Sequence, residues 1–304
     1  MLPNKVCAGY FQLAGPSTHT LANVHNNYNV VFLAFAKGTN STSGTLHLQT
    51  PTQGDSSLRT DMSTLQSRGV KIILSIGGSN DINGTSHGYT LTTTTQQNEA
   101  ITSLTALISS YSLDGIDWDL ETPYNWNVSS VKNVTNSLKT TFPNLIVTMA
   151  PESFDAISTT GQYRALATAL GSNFDAIGPQ YYNHGVSESQ SLTDILSTTR
   201  SLRALYGANK VMIGTMNHDD NHSDSDNTDT NNTTTIATEL SAWATLNAES
   251  PSLRGMYIWN TYFDSQNADA FASQVGVDIL ASGSPPHGPG GNAGSSKTLP
   301  ALFW

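Results

Sequence analysis

The stretch of sequence that decides the fold runs from residue 113 to residue 121 and reads LDGIDWDLE. Asp117, Asp119 and Glu121 alternate here with apolar residues, and a period of two is typical of a β-strand. The three acids would therefore face one side of the strand, and the apolar side chains would face the other. Such a row of acids is unusual in a chain in which only 12% of the residues are charged.

Holding these acids in one row is electrostatically costly. Side chains two positions apart on a strand lie about 6.6 Å from each other, and two full charges at that distance repel by roughly 2.5 kcal/mol at an effective dielectric constant near 20. We therefore expect the row to keep at least one proton at neutral pH as a coupled system. A protonated carboxyl group beside an ionised one is what glycoside hydrolysis needs as a general acid. A metal site and a solvated edge strand are the alternatives that these residues leave open.

Eight short apolar runs are spread along the chain, and most are followed by a stretch in which apolar residues recur at helical spacing. Near-continuous apolar strands that alternate with helices are typical of a parallel sheet covered on both faces. Eight such units predict an α/β fold, a (β/α)8 TIM barrel, with an open doubly wound sheet as the alternative. The runs cover residues 5–11, 29–35, 71–76, 115–121, 145–150, 176–182, 210–216 and 255–259, and the helical stretches cover residues 57–68, 96–110, 128–140, 161–169, 191–205 and 234–248.

The composition of the 304-residue chain argues against several classes of partner. The formal net charge is −10, with only 13 Lys and Arg residues, which disfavours nucleic acid and anionic membranes. No apolar stretch reaches the roughly 18 residues of a membrane span. The single cysteine, Cys7, cannot form an intramolecular disulfide, and its place in an apolar run predicts a small core residue. A surface rich in Ser, Thr and Asn suits a neutral polar substrate such as a polysaccharide.

Polar and aromatic residues collect where the predicted strands end. The carboxyl ends of the strands form the mouth of a (β/α)8 barrel, where active sites lie. An indole ring offers a flat apolar face to a sugar, and Tyr or Gln side chains supply hydrogen bonds. Each residue taken singly is more typical of core packing, rim packing or a turn, but together with the acid row they predict a carbohydrate site. These residues are Tyr10, Gly78, Met149, Gln180, Tyr182, Asn183 and Trp259.

Five motifs, in the right order along the chain, resemble those of family 18 glycoside hydrolases. Residues 114–121 match the family signature Asp-Gly-x-Asp-x-Asp-x-Glu, and residues 75–78 resemble its Ser-x-Gly-Gly motif. The resemblance covers roughly residues 5–280, and its Gln-Tyr-Tyr-Asn form is most similar to the hevamine-type chitinases of plants and to related bacterial and fungal enzymes. The remaining motifs are MAPE at residues 149–152, QYYN at residues 180–183 and GMYIW at residues 255–259.

The resemblance implies a role for each of these residues. Glu121 corresponds to the general acid/base, Asp119 to the acid that orients the N-acetyl group of the substrate, and Asp117 to the inner acid that shares its proton. Tyr182 corresponds to the tyrosine that hydrogen-bonds the acetamido oxygen, and Trp259 to the tryptophan beneath a distorted sugar ring. The other residues expected to line this pocket are Gln180, Asn183, Met149, Tyr10 and Gly78, whereas Asp114 is expected to support the strand from below.

The resemblance also implies an activity. We expect a secreted, extracellular and monomeric retaining chitinase that cleaves internal β-1,4 bonds of chitin or of another oligosaccharide containing N-acetylglucosamine. Hydrolysis in this family is assisted by the substrate's own acetamido group, so neither a metal nor an organic cofactor is implied. An endo-β-N-acetylglucosaminidase that cleaves the chitobiose core of N-glycans is the alternative with the same chemistry. An inactive chitinase-like lectin is the second alternative, which the intact set of acids disfavours.

The domain organisation follows from the remaining segments. Residues 1–281 are predicted to form one catalytic domain, and residues 282–304, rich in Gly, Pro and Ser, a tail or linker. Residues 216–255 are too few for both a helix and the extra α+β domain that some relatives insert, so a single domain without that insertion is expected. Residues 217–234 predict a long polar loop at the active end. The first residues lack the apolar core of a signal peptide, which indicates either a cytosolic chain or a mature form with an added Met.

Overall fold

The computed structural model describes residues 1–78, 90–121, 124–182, 191–217 and 234–283. Eight parallel strands dominate the described part, and each overlaps one of the eight predicted apolar runs. They are β1 (Val6–Gln12), β2 (Val30–Gly38), β4 (Lys71–Gly77), β6 (Gly115–Asp119), β8 (Ile146–Met149), β9 (Ala176–Ile177), β10 (Met212–Thr215) and β11 (Gly255–Ile258). Short additional strands are β3 (Leu46–Leu48), which pairs antiparallel with β2, and the parallel pair β5 (Thr90–Leu91) and β7 (Asn125–Trp126).

The order of the strands and their closing contacts define the architecture. The strands lie in the order β10-β11-β1-β2-β4-β6-β8-β9. Parallel bridges from Ile177 to Val211 and from Gln180 to Gly214 join the last strand of this series to the first. The backbone N–H of Tyr181 also donates to the carbonyl oxygen of Gly214 at 2.9 Å. The sheet is thus a nearly closed barrel, which confirms the predicted (β/α)8 TIM barrel and excludes an open doubly wound sheet.

Helices cover the outside of the barrel, and the six predicted helical stretches all form, with ends that agree to within two residues. Several begin at a polar cap: the Thr93 side chain accepts a hydrogen bond from the Gln96 N–H, and the Asn127 side chain accepts one from the Ser130 N–H. These helices are α1 (Asp55–Ser67), α2 (Thr94–Tyr111), α3 (Val128–Thr141), α5 (Gln162–Leu170), α6 (Leu192–Tyr206) and α7 (Ile236–Glu249). Short helices that the sequence did not predict are α4 (Ser153–Ile157), α8 (Thr261–Gln266), α9 (Gly276–Ala281) and a π-helical turn at Phe271–Val275.

Two apolar layers lie on the two faces of the strands. Tyr10, Phe32 and Tyr257 belong to the layer inside the barrel, and Cys7 and Trp118 belong to the layer between strands and helices. Cys7 is fully buried, as expected, and burial raises the pKa of its thiol. The Trp118 indole N–H donates to the Thr135 hydroxyl on α3 at 3.1 Å. The apolar side of the acid row therefore faces the helices, as its alternation predicts.

The opposite end of β6 is fixed by Asp114, as expected for a residue that supports the strand from below. Its carboxylate pairs with the Lys71 ammonium group at 2.8 Å and accepts the Ile72 backbone N–H at 3.0 Å. Both partners lie at the start of β4, the neighbouring strand. Asp114 therefore sets the register between β4 and β6 at the end of the barrel away from its mouth.

Two predicted segments lie mostly outside the described residues. They are residues 218–233 of the polar loop and residues 284–304 of the tail. The domain boundary at residue 281 therefore stays a prediction. Within the described ranges, no helix combines the length and the apolar character that crossing a membrane would require.

Glu239 on α7 is a buried acid whose ionisation the fold opposes. Its side chain is fully buried, Oε1 accepts a hydrogen bond from the Thr234 hydroxyl at 2.9 Å, and Oε2 is buried without a hydrogen-bond partner. Burial raises its pKa from 4.5 to about 8, although the nearby hydroxyl groups of Thr215 and Thr234 act in the opposite direction. The carboxyl group is therefore neutral in the folded protein at neutral pH.

We predict that Glu239→Gln stabilises the protein at pH 7 and has little effect at pH 4.5. The folded state binds the Glu239 proton more tightly than the unfolded chain does, so the free energy of unfolding falls as the pH rises between these two pKa values. The loss reaches up to about 3 kcal/mol at pH 7. Thermal unfolding of both proteins from pH 4.5 to 8 measures it. An equal Tm difference at every pH would contradict a titrating Glu239.

Candidate active site

The acid row lies at the mouth of the barrel, where β6 ends. The strand itself stops at Asp119, so Glu121 follows two residues beyond it in a non-strand conformation. Tyr163 on α5 holds this exit in place: its hydroxyl donates to the Trp118 carbonyl oxygen at 2.9 Å and accepts from the Leu120 N–H at 2.6 Å. The chain that carries Glu121 is thus tied to an outer helix.

Asp117 is the innermost acid and is held by three hydroxyl groups from three different strands. The Tyr10 and Ser75 hydroxyls donate to its Oδ2 at 2.9 and 2.8 Å, and the Thr148 hydroxyl donates to its Oδ1 at 2.6 Å. The side chain is 1% exposed. Burial raises its pKa, and the hydrogen bonds from Thr148, Ser75 and Tyr10 partly offset that rise.

Asp119 and Glu121 are brought together by one amide group. The Gln180 side-chain nitrogen donates to Asp119 Oδ1 at 2.9 Å and to Glu121 Oε1 at 3.0 Å, and it lies 3.2 Å from the Ala150 carbonyl oxygen. Burial raises the pKa of Asp119 well above its usual range, and the negative charges of Glu121 and Asp117 raise it further. Burial also raises the pKa of Glu121, against the hydrogen bonds from Gln180 and Asp119. These directions agree with the shared proton that the spacing of the acids predicts.

Aromatic rings form the wall of the mouth that faces the acids. Trp259 follows β11 and is partly exposed; its ring lies 5.6 Å from that of Tyr10 and stacks on Phe35 at 5.6 Å, with 21° between the planes. Tyr182 is buried, and burial together with the charges of Asp119 and Glu121 raises the pKa of its hydroxyl. Tyr182 is therefore a neutral hydrogen-bond donor beside the acids.

Two glycines allow the backbone to pass close to the acids at the end of β4. Gly77 and Gly78 have φ angles of 118° and 75°, which L-residues with a side chain rarely adopt. A Cβ atom on Gly77 would lie 2.0 Å from the Asp119 carbonyl oxygen, and one on Gly78 would lie 2.5 Å from the Phe35 ring. The Gly78 N–H donates to the Asp119 carbonyl oxygen at 2.7 Å. Glycine is required at both positions for this close approach.

A cavity of about 270 Å³ opens beside Glu121 on the other wall of the mouth. It lies at the ends of β6 and β8, and β6 is four strands away from β11, which Trp259 follows. Phe154 on its rim is 67% exposed, which is unusual for a large apolar side chain. The lining residues are Leu120, Glu121, Tyr124, Trp126, Ala150, Pro151, Glu152, Phe154, Asp155, Gln162 and Tyr163.

The prediction is wrong for one site residue, and a second predicted residue lies outside the described part of the chain. Met149 does not line the site: Thr148 points into the barrel towards Asp117, so the next residue of the strand points outwards and packs in the layer beneath the helices. Asn183 lies outside the described residues. The structure brings the remaining predicted residues together at the mouth, and they are Glu121, Asp119, Asp117, Tyr182, Trp259, Gln180, Tyr10 and Gly78.

Several residues of the site were not assigned a role from the sequence. Thr148 and Ser75 lie directly in register with Asp117 on the strands at either side, and this register could have indicated them. Tyr163 comes from an outer helix, far along the chain. Lys37 is a buried cation at the end of β2 whose charge lowers the pKa of both Asp119 and Glu121. No local sequence signal marks either of these last two residues.

The surroundings of the acid row bear on its two alternative interpretations, a solvated edge strand and a metal site. A solvated edge strand is wrong because β6 lies between β4 and β8 and Asp117 and Asp119 are buried. Across the parts of the chain that the structure describes, no group of three or more His, Cys, Asp or Glu side chains has an arrangement that could hold a metal ion. The acids instead interact with hydroxyl groups and an amide.

The chain matches the family model described as glycosyl hydrolases family 18 over residues 6–274. The protein therefore belongs to family 18 of the glycosyl hydrolases, as the motifs predict. A chitinase of Enterococcus faecalis is 30% identical over 191 residues, which cover 58% of this chain and 50% of that protein. The acidic endochitinase SE2 of Beta vulgaris is 26% identical over 267 residues, which cover 82% of this chain and 84% of that protein.

Solved structures give the same fold. A family 18 chitinase from Chromobacterium violaceum superimposes with a TM-score of 0.76 at 22% identity, over 92% of this chain and 85% of that one. The chain spans half or less of the length of the first bacterial chitinases that it matches, such as 50% for the E. faecalis protein and 36% for chitinase Chi52 of Paenibacillus xylanexedens.

Proposed function

We propose that the protein is a retaining chitinase that hydrolyses internal β-1,4 bonds between N-acetylglucosamine units with the help of the substrate's acetamido group. The observation that carries the proposal is the Gln180 amide, which holds Asp119 and Glu121 within hydrogen-bond distance of one nitrogen atom. Related proteins that share the family are named chitinases in bacteria and in plants, which supports chitin as the substrate class.

The arrangement of the acids favours an internal nucleophile. In the two-carboxylate retaining scheme, the acid and the nucleophile lie about 5–5.5 Å apart and flank the scissile bond. Here Asp119 and Glu121 are hydrogen-bonded to each other and share the Gln180 donor, so they leave no space for a sugar ring between them. The anomeric carbon must be attacked from the side opposite to the leaving oxygen, and the acetamido oxygen of the sugar itself can reach that side.

The proposed reaction has two steps. Glu121 donates its proton to the glycosidic oxygen as the bond to the anomeric carbon breaks, and the acetamido oxygen forms a bond to that carbon. The resulting oxazolinium ion carries a positive charge, which the carboxylate of Asp119 balances, while the Tyr182 hydroxyl donates to the acetamido oxygen. Glu121 then removes a proton from a water molecule. The water oxygen attacks the same carbon, and the bond from that carbon to the acetamido oxygen breaks, which opens the oxazolinium ring. Two inversions give net retention, and Glu121 ends with its proton restored.

The two walls of the mouth support cleavage within a chain. Trp259 offers an aromatic face on one side of Glu121, and the cavity rimmed by Phe154 offers space on the opposite side. A polysaccharide can therefore extend past the acids in both directions. Because chitin is an insoluble extracellular polymer, the proposal includes a secreted enzyme that acts as a monomer, without nucleic-acid or membrane partners; the scarcity of cationic residues agrees with the last point.

The substrate panel that tests this proposal contains chitin oligosaccharides, fully deacetylated chitosan and an N-glycosylated protein. We predict that the first is cleaved with retention and that the second is inert, because chitosan lacks the acetamido nucleophile. A thiazoline analogue of the intermediate should inhibit, since it resembles the species that the site stabilises. Product analysis by mass spectrometry and NMR measures cleavage. Hydrolysis of fully deacetylated chitosan would refute substrate assistance. Release of glycans alone would indicate an endo-β-N-acetylglucosaminidase, and binding without turnover of any substrate would indicate a lectin.

We predict that Glu121→Gln removes nearly all turnover while the fold and oligosaccharide binding remain. An amide of the same shape cannot donate the proton, and general acid catalysis supplies roughly 10²- to 10⁴-fold in rate. The measurements are kcat, calorimetric affinity and Tm. Glu249→Gln, at the surface end of α7, is the matched control and should keep wild-type turnover. Retention of more than about a tenth of the wild-type rate by Glu121→Gln would contradict its assigned role.

We predict that Trp259→Ala lowers kcat as well as affinity. Trp259 is partly exposed at the mouth, where its indole can support a distorted sugar, and lost strain stabilisation acts on the chemical step. Trp243 on α7 is almost fully buried beneath Lys5. Its alanine variant is the matched control: it should lose about 3–5 kcal/mol of stability and keep normal kcat in the folded fraction. If Trp259→Ala behaves like this control, Trp259 is a packing residue.

A further inference from the structure

Lys37 lies at the mouth of the barrel because β2 carries an irregularity. The register between β2 and β4 shifts between Ala34 and Ala36, so one extra residue is accommodated there. Before the shift, Phe32 and Ala34 face the inside of the barrel; after it, Ala36 faces the outer layer. Lys37 is thereby turned towards the mouth, although strict alternation from Phe32 would have placed it under the helices.

The Lys37 side chain lies between Phe35 of the aromatic wall and Tyr124, which lines the cavity beside Glu121. It is 8% exposed. Its ammonium nitrogen lies 4.6 Å from the centre of the Phe35 ring and donates to the Tyr124 hydroxyl at 3.4 Å. Tyr124 in turn donates to the Gly77 carbonyl oxygen at 3.1 Å, and its backbone N–H donates to the Glu121 carbonyl oxygen at 2.8 Å. Lys37 thus contacts Tyr124 directly, and Tyr124 connects it to the end of β4 and to the backbone of Glu121.

Among the described residues that act on Asp119 and Glu121, the charged groups other than Lys37 are acids. The acids Asp117 and Glu152 raise the pKa of one or the other, and Lys37 lowers the pKa of both. The surrounding tyrosines are neutral, since their pKa values are raised; these are Tyr10, Tyr124, Tyr163, Tyr182 and Tyr257. A buried cation in this position acts with little screening by water.

We propose that Lys37 is a positioning residue for the reaction: its ammonium group keeps the Asp119–Glu121 pair singly ionised and thereby sets the pH range of turnover. The inference rests on the proposed function, which needs one proton on Glu121 and one negative charge on Asp119. Without a nearby cation, a carboxyl pair in a dry pocket keeps both protons to higher pH. The doubly protonated pair could donate a proton but could not balance the oxazolinium charge.

The sign of the effect follows from the charge of Lys37. A positive charge favours the ionised form of both carboxyl groups, so its removal makes each proton harder to lose. Both limbs of the bell-shaped profile of kcat/KM against pH should therefore move to higher pH, by roughly 0.5–1.5 units. On the acidic limb this corresponds to a loss of roughly 3- to 30-fold at a given pH, and on the basic limb the variant should exceed the wild type at the same pH.

The experiment compares Lys37→Met, Lys37→Gln and Lys37→Arg with the wild type from pH 3 to 10, on a chitin oligosaccharide. Lys37→Gln keeps a donor for Tyr124 but removes the charge, and Lys37→Arg keeps the charge. Lys132→Met, on the outer helix α3, changes the net charge equally and is the matched control. In parallel, carbon-13 NMR of the carboxyl groups follows the titration of Asp119 and Glu121 without requiring turnover.

The expected result is that the Met and Gln variants shift both the profile and the titration upwards, while the Arg variant and Lys132→Met retain the wild-type values. A uniform loss of kcat/KM with an unmoved profile and an unmoved titration would overturn the proposal and make Lys37 a structural support for Tyr124. If Lys37→Met does not fold, Lys37→Gln decides by the same criteria. A wild type that titrates as expected but cleaves no chitin oligosaccharide would refute the proposed function and leave the electrostatic role of Lys37 to be decided by NMR.

Discussion

The burial of three carboxyl groups at one end of the barrel is the constraint on which the rest of the site depends. Each ionised carboxylate in a dry environment costs several kcal/mol unless hydrogen bonds or opposite charges compensate it. Asp117 obtains its compensation from hydroxyl groups on β1, β4 and β8, which only a curved sheet can bring to one point. Asp119 and Glu121 obtain theirs from Gln180, just beyond β9. The buried acids are therefore stabilised only if the barrel is nearly closed, because closure brings these hydrogen-bond donors to its mouth.

The surroundings of the acids are rigid as well as polar. Tyr163 ties the exit of β6 to α5, and Gly77 and Gly78 permit a backbone contact with Asp119 that a side chain would prevent. Trp259, Phe35 and the other rings exclude water from one side, which strengthens every charge–charge interaction inside the mouth. A site of this kind loses little free energy to reorganisation when charge develops in the transition state, because its dipoles are already oriented.

The distribution of protons follows from this environment. Burial raises the pKa of all three acids, and Asp119, which lies between the other two carboxyl groups of the row, has its pKa raised further by their negative charges. Hydroxyl donors favour the charged form of Asp117, and Lys37 favours the charged forms of its two neighbours. The function that we propose uses this arrangement: an inner acid held by hydroxyl donors, a shared proton and a proton donor at the open end of the row.

The sequence by itself determined the local elements of this protein, because they depend on short-range patterns. The period of two in residues 113–121 indicated the acid row, and eight apolar runs with helical spacing between them indicated the barrel. The tertiary structure decided which way each side chain points. A strand buried on both faces has no polar alternation to set its phase, so Met149 was expected in the site although it packs outside it. Lys37 reaches the mouth only because of the register shift in β2, and Tyr163 reaches it only because α5 packs against the end of β6. Neither position can be predicted from the residues next to it in the sequence.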